Sequence, residues 1–241
     1  MAEAEAQQLE RFLSAVRGLA PLIREHADAA ERQRRLSQPV VTALAEAGIF
    51  RMYTPHALGG FEVEPLTFYR VVEEIARLDG STGWCAFIAG CNPLMGAYLS
   101  DHAAAEVFGR DPHVITAGVV FPYGKAIVRD GGYVVSGHWS YASGCQHCAW
   151  IFCFCNVFDG DQIRLTAGGE PEVRAIFVPM AQVSVVDTWE VSGLAGTGSH
   201  DVVLEQVFVP EAYTGLFGAV IHEGSPPIHR VPAGNPETPR R

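Results

Sequence analysis

Four cysteines crowd one stretch of the chain. Cys145 and Cys148 form a Cys-x-x-Cys pair, with Cys153 and Cys155 close behind. Such spacing could hold zinc or carry a dithiol–disulfide couple. A zinc site, however, normally needs a second, separated ligand pair, and a redox Cys-x-x-Cys sits at a helix start. Residues 149–157 read as a strand, on which Cys153 and Cys155 share one face. Their expected role is that of small apolar core residues with free thiols. Around them stand other groups able to do chemistry: Trp139, Tyr141, Ser143 followed by Gly144, His147 and Trp150. The Ser143 hydroxyl can donate or accept hydrogen bonds, and the aromatic rings offer flat apolar faces. His147 could orient a substrate or move a proton, although a single His beside a buried strand is more often a hydrogen-bonded structural residue.

A glycine-rich run, Gly193 to Ser199, could approach a phosphate through its backbone amides, yet it equally suits a tight connection between two strands. The connection is the favoured reading. No Gly-x-Gly-x-x-Gly follows a predicted strand, so a Rossmann fingerprint is excluded.

The elements that must position these groups follow from periodicity. Ala2 to about Arg35 carries Leu9, Phe12, Leu13, Val16, Leu19 and Ile23 at helical spacing. Ser37 is placed to cap a second helix, with Pro39 early in it and Gly48 at its C-cap. Pro65 opens a third helix that ends at Asp79-Gly80, and Ser81 or Thr82 caps a nearly all-apolar fourth running to Leu99. That fourth helix, which begins beside Trp84, should lie at the centre of the helical part. A short helix from Asp101 to Phe108 follows. Beyond Pro112 the chain turns β-branched and aromatic, with strands expected at 115–121, 125–128, 133–139, 149–157, 173–178, 183–188 and 202–209. The predicted fold is α+β: an N-terminal all-α domain (1–110), an antiparallel β-sandwich or barrel (111–212), and a disordered Gly/Pro/Arg tail (213–241).

The totals bound the function. A 241-residue chain with 48% hydrophobic residues can bury one large or two modest cores, and a net charge of −10 without a basic stripe argues against nucleic acid and anionic membrane as partners. The N-terminus has no signal-peptide pattern, and the apolar stretches are interrupted or too short to cross a bilayer. Free thiols and a reducing compartment point to the cytoplasm.

Taken in order, Pro55-x-x-x-Gly59-Gly60, Gly137-His138-Trp139-x-x-x-Ser143-Gly144, His147-x-x-Trp150 and Gly193-Leu194-Ala195-Gly196-Thr197-Gly198-Ser199-His200-Asp201-Val202 resemble the acyl-CoA dehydrogenase superfamily. Within it, the Trp-x-x-x-Ser-Gly-Cys-x-His pattern and the Gly-Thr-Gly-Ser turn are similar to the oxygenase components of two-component flavin-dependent monooxygenases of the 4-hydroxyphenylacetate and steroid-ring hydroxylase type. The resemblance covers about residues 10–210.

It implies an enzyme that uses reduced flavin (FMN or FAD), supplied by a separate flavin reductase, and O2 to hydroxylate a small aromatic or polycyclic substrate. The implied cofactor contacts are Trp84, Gly118, Val119, Val120, Tyr141, Ala142 and Ser143, with Trp84 and His147 toward substrate. Where relatives commonly carry Arg, this chain has Ala195, which removes one anion contact. The acyl-CoA dehydrogenase activity of the superfamily is a second reading. It fits less well, because that branch carries Thr-Glu-Pro and Gly-Ser-Asp on strands where this chain reads Thr116-Ala117-Gly118-Val119-Val120-Phe121-Pro122. Both branches continue into a C-terminal helical bundle that completes the flavin site and forms homo-oligomer contacts. The sequence after Phe217 departs from that pattern, so a truncated protein or a non-catalytic flavin-binding or interaction domain is a third reading.

Overall fold

The computed structural model describes residues 2–217. Five helices come first: α1 (Ala2–Gln33), α2 (Gln38–Glu46), α3 (Pro65–Leu78), α4 (Gly80–Cys91) and α5 (Asp101–Ala104). They bury the stripe read from the sequence: Phe12, Val16 and Ile23 of α1 meet Val40 and Leu44 of α2 and Phe68, Val71 and Ile75 of α3. Gly83 lets α3 and α4 close up, because a Cβ there would sit 2.6 Å from the Ala76 backbone.

Several helix ends differ from expectation. Ser37 occupies the N-cap of α2 but its hydroxyl makes no capping bond. Ala47 is the C-cap, with Gly48 just beyond it in the left-handed region at φ 78°. Asp79, not Ser81 or Thr82, caps α4: its carboxylate accepts from the Thr82 amide at 2.7 Å and from the Thr82 hydroxyl at 2.6 Å. The expected helix to Leu99 stops at Cys91, because Pro93 cannot continue the ladder, and Asn92–Tyr98 tightens into a 3-10 helix. Nor is α4 enclosed all round, for Trp84 is 42% exposed.

Eight strands follow: β1 (Thr116–Arg129), β2 (Gly132–Ala142), β3 (Trp150–Asp159), β4 (Gln162–Ile163), β5 (Val173–Pro179), β6 (Ser184–Val186), β7 (His200–Pro210) and β8 (Thr214–Leu216). They form one sheet in the order β6-β7-β2-β1-β3-β5-β8, with β4 on β3. The pairing is mostly antiparallel, as expected, but β1 and β3 run parallel, Ala117 opposite Ile151. The two strands expected at 115–121 and 125–128 are one long β1 whose register with β3 shifts between Val119 and Gly124. Gly124 is needed there: a Cβ would lie 2.2 Å from the fully buried Trp139 ring, whose Nε1 donates to the Phe154 carbonyl at 3.1 Å.

β3 shows the period-two rule plainly. Ile151, Cys153, Cys155 and Val157 enter the core formed by the sheet itself. Phe152 and Phe154 point the other way, into a second core with Leu99, Ala103, Val107 and Phe108. That second core joins the helices to the sheet. Arg51, buried, reinforces the seam by donating to the carbonyls of Phe108 (2.9 Å), Asp111 (3.0 Å) and Leu58. Within the tail expected to be disordered from 213, Thr214–Leu216 is instead a strand paired with β5. The rest of that expected tail, from 218, lies outside the described residues.

Candidate functional site

The junction between α4 and the loop after β2 brings several predicted residues together. Trp84 Nε1 donates to Ser143 Oγ at 3.0 Å, which leaves a face of the indole open to solvent. Tyr141 is 70% exposed, held at φ 67°, a conformation uncommon for a non-glycine residue, and packs edge-on against Trp189 at 6.0 Å. The Ser143 amide donates to the Tyr141 carbonyl at 2.9 Å, which fixes the turn. Between them Ala142 is fully buried, backbone and side chain alike, so in this structure it offers no accessible atom to a ligand.

On β1 the predicted contacts divide. Val120 is exposed, whereas Val119 points into the sheet core. A Cβ on Gly118 would strike the Phe152 ring at 2.1 Å, so glycine is required for packing there. Asn92 ties this strand to the helices by donating to the Thr116 carbonyl at 2.6 Å. Among the described residues, the hydrogen bond and the aromatic pair of Trp84 go to Ser143 and Phe87 and not to Gly118, Val119 or Val120.

His147 lies behind the Trp84–Ser143 pair, on the wall of a small cavity shared with Leu36, Cys85, Thr116 and Ser143. Neither ring nitrogen finds a hydrogen-bond partner among the described residues. Burial, assisted by the positive charge of Arg35, pushes its pKa down to about 4, so the ring is neutral near pH 7. The cysteines are likewise pushed up by burial: Cys85 to about 12, Cys145 and Cys91 to about 11, and Cys153 well above its ordinary value.

Three residues to which the sequence alone gave no site role complete the junction. Ser143 Oγ lies 2.7 Å from Ser199 Oγ, which lies 2.7 Å from Thr197 Oγ1. The turn carrying these hydroxyls is anchored by Glu31 of α1, whose carboxylate accepts from the amides of Ala195 (3.1 Å) and Gly196 (3.0 Å) and from Ser81 Oγ (2.5 Å). Burial raises the Glu31 carboxyl, but the bonds from Ser81, Gly196 and Ala195 outweigh it and hold the pKa below its ordinary value. The glycine-rich run thus does bind an anion, the chain's own. A faint signal existed: an acid in the last turn of a helix opposes the helix dipole unless something else holds it.

The helices precede this sheet, and the junction faces solvent through Trp84 and Tyr141. Residues 6–107 match the acyl-CoA dehydrogenase N-terminal domain. It is 35% identical over 224 residues to the flavin-dependent monooxygenase oxygenase subunit HsaA of Rhodococcus jostii (strain RHA1), across 90% of this chain and 56% of that protein. The solved structure of 3-HSA hydroxylase from Rhodococcus sp. RHA1 aligns with a TM-score of 0.81 at 34% identity, covering 88% of this chain and 53% of that one. XiaF from Streptomyces sp., solved in complex with FADH2 and glycerol, aligns with a TM-score of 0.83 at 28% identity over 90% of this chain and 53% of that one. The chain spans about half the length of the curated relatives it matches. Among the described residues, no helix is long and apolar enough to cross a membrane.

Proposed function

We propose that this chain forms one wall of the flavin site of a monooxygenase oxygenase component, which hydroxylates an aromatic or polycyclic substrate. The carrying observation is the Trp84–Ser143 pair: an indole N–H committed inward leaves an exposed apolar face beside a hydroxyl with a spare lone pair. A flat tricyclic ring with a polar edge fits such a surface. The relatives named oxygenase subunits support the same reading.

Bound reduced flavin would supply the electrons and the activation of O2 that hydroxylation needs. For their part, Trp84 offers the ring face, Ser143 a hydrogen bond, and the exposed Tyr141 the neighbouring edge, with the buried Ala142 supporting the turn between them. Gly118, Val119 and Val120 would contribute β1 backbone, with Val120 the one side chain facing outward. Trp84 is assigned to both cofactor and substrate. His147, neutral and buried, is assigned to the wall behind Ser143, where it reaches substrate only through that wall. A flavin reductase is the proposed partner and the cytoplasm the proposed setting, in keeping with six free thiols. Exposed Leu66, Tyr69 and Leu94 support a homo-oligomer that covers them.

The test is anaerobic titration of the protein with reduced FMN and reduced FAD, followed by O2 and a phenolic substrate under 18O2. Binding of reduced flavin and one labelled oxygen in the product are expected. Absence of flavin binding overturns the reading, and desaturation of an added acyl-CoA with reduction of oxidised flavin, in place of hydroxylation, would return the chain to the dehydrogenase branch.

A further inference from the structure

The hydroxyls behind Trp84 form a line whose direction follows from counting protons. Trp84 Nε1 can only donate, and it donates to Ser143 Oγ at 3.0 Å. At the far end Thr197 Oγ1 donates to the Leu194 carbonyl at 2.9 Å, the shortest of three bonds this acceptor receives, the others coming from the Thr197 amide (3.1 Å) and Trp189 Nε1 (3.2 Å). Each hydroxyl has one proton. Since the Thr197 proton is committed, the 2.7 Å contact with Ser199 requires Ser199 to donate. The Ser199 proton is then committed too, so the 2.7 Å contact with Ser143 requires Ser143 to donate. Thr197 and Ser199 are 2% and 3% exposed, which leaves no bulk water to reverse the order. With the Thr197 hydroxyl giving its proton to Leu194, the line runs from Trp84 through Ser143, Ser199 and Thr197 to the Leu194 carbonyl. Ser143 retains a lone pair and no proton for any outside group.

We propose that Ser199 and Thr197 are positioning residues that present Ser143 to its ligand as a hydrogen-bond acceptor only. The proposal rests on the flavin reading above and deepens it. A reduced isoalloxazine carries an N–H at ring position N5, where the oxidised ring carries a bare lone pair. An acceptor-only serine pairs with the first and sets lone pair against lone pair with the second, so the wall discriminates between redox states of the same molecule. Glu31 holds the far end, since it fixes the amides of Ala195 and Gly196 next to the Leu194 carbonyl.

Ser199→Ala removes the group that takes the Ser143 proton, and Thr197→Val frees the line one step further in. Either lets Ser143 turn its hydroxyl outward and donate. Thr197→Ser keeps the hydroxyl and serves as the conservative control. The dissociation constants of reduced and of oxidised FMN, then FAD, are measured anaerobically by tryptophan fluorescence for each protein. The wild type should favour the reduced form, and Ser199→Ala should narrow that preference about tenfold, the worth of one hydrogen bond. Thr197→Val should narrow it in the same direction, and Thr197→Ser should leave it within twofold. A second readout needs no flavin: the Trp84 indole N–H resonance should move in Ser199→Ala and Thr197→Val, because each changes what Ser143 does with its own proton.

Unchanged preference in variants that keep the native far-ultraviolet spectrum and bind both forms overturns the proposal and leaves the flavin reading standing. Failure of the wild type to bind either form overturns the flavin reading and the ligand assigned to Ser143. An unmoved indole resonance would then refute the direction of the line as well.

Discussion

Replacing Glu31 by Ala should loosen the turn that carries the candidate site. Its carboxylate accepts three hydrogen bonds, from Ser81 Oγ and the amides of Ala195 and Gly196, and all three donors belong to buried residues. A buried donor left without a partner costs about 1–3 kcal/mol, which gives roughly 3–9 kcal/mol if none recovers. Glu31 is itself only partly buried, so water can enter from its side and satisfy part of the loss. The expected cost is therefore at the low end, about 3 kcal/mol, and Glu31→Gln, which keeps one acceptor, should cost about half as much. The pH dependence has a definite sign. The folded state holds this carboxyl below its ordinary 4.5, so its contribution is complete above that value and is lost as pH falls through the lower folded value. Urea denaturation of wild type, Glu31→Ala and Glu31→Gln near neutral pH and down an acid series measures both effects. A difference of less than about 0.5 kcal/mol between wild type and Glu31→Ala near neutral pH, or a gap that widens on acidification, would refute the reasoning.

Three further outcomes follow from the same geometry. His147 is held neutral, its pKa down at about 4 from 6.5, so the unfolded chain takes up a proton first and stability should fall as pH drops from about 6.5 to about 4, by at most roughly 3 kcal/mol; His147→Leu should flatten that part of a stability–pH curve, and an unaltered slope would count against a buried neutral ring. Gly124→Ala drives a Cβ to within 2.2 Å of Trp139 and should destabilise by about 2–4 kcal/mol, with Trp139→Phe costing less because it loses mainly the bond to the Phe154 carbonyl; a near-wild-type melting temperature for Gly124→Ala would show that the ring can step aside. The six thiols should react slowly with a thiol-disulfide reagent near pH 8 in the native protein and quickly once it is unfolded, and rapid native labelling of Cys153 or Cys155 would contradict their burial in the sheet core.

What the sequence disclosed about this fold is what repeats locally. Phe12, Val16 and Ile23 recur at helical spacing and lie buried on one face of α1, and the alternation around Cys153 and Cys155 put them on the shared, inward face of β3. Boundaries were less legible where neighbouring residues compete for one role. In Asp79-Gly80-Ser81-Thr82 three side chains can cap a helix, and Asp79 wins because its carboxylate reaches both the amide and the hydroxyl of Thr82. The parallel pairing of β1 with β3 leaves no local trace at all, since it depends on what lies between strands distant in sequence. For the site, the order of motifs singles out the loop residues Tyr141, Ala142 and Ser143 and the indole of Trp84, and the structure brings them to one junction. Gly118 and Val119 are shaped by packing against Phe152 and the sheet core as much as by any ligand.

The residues to which the sequence alone gave no site role have partners that share a physical reason for being invisible. Glu31 meets Ala195 and Gly196 across more than one hundred and sixty positions, and Ser199 meets Ser143 across fifty-six. No periodicity encodes such partners. Yet they decide what the legible residues can do, because a serine hydroxyl is donor or acceptor according to who takes its proton. Leu194 and Gly198 sit in left-handed conformations at the two ends of the Ala195–Thr197 turn, so the carbonyl that terminates the line is set by backbone shape and by Glu31 together. Two kinds of damage should therefore separate. Loss of Glu31 weakens the fold and the turn at once, whereas Ser199→Ala leaves the turn's backbone bonds, including the Gly144 amide to the Thr197 carbonyl at 2.9 Å, in place and alters only the polarity of Ser143. A site whose chemistry can be inverted without moving its backbone is one in which hydrogen-bond direction, and not shape alone, carries the selectivity.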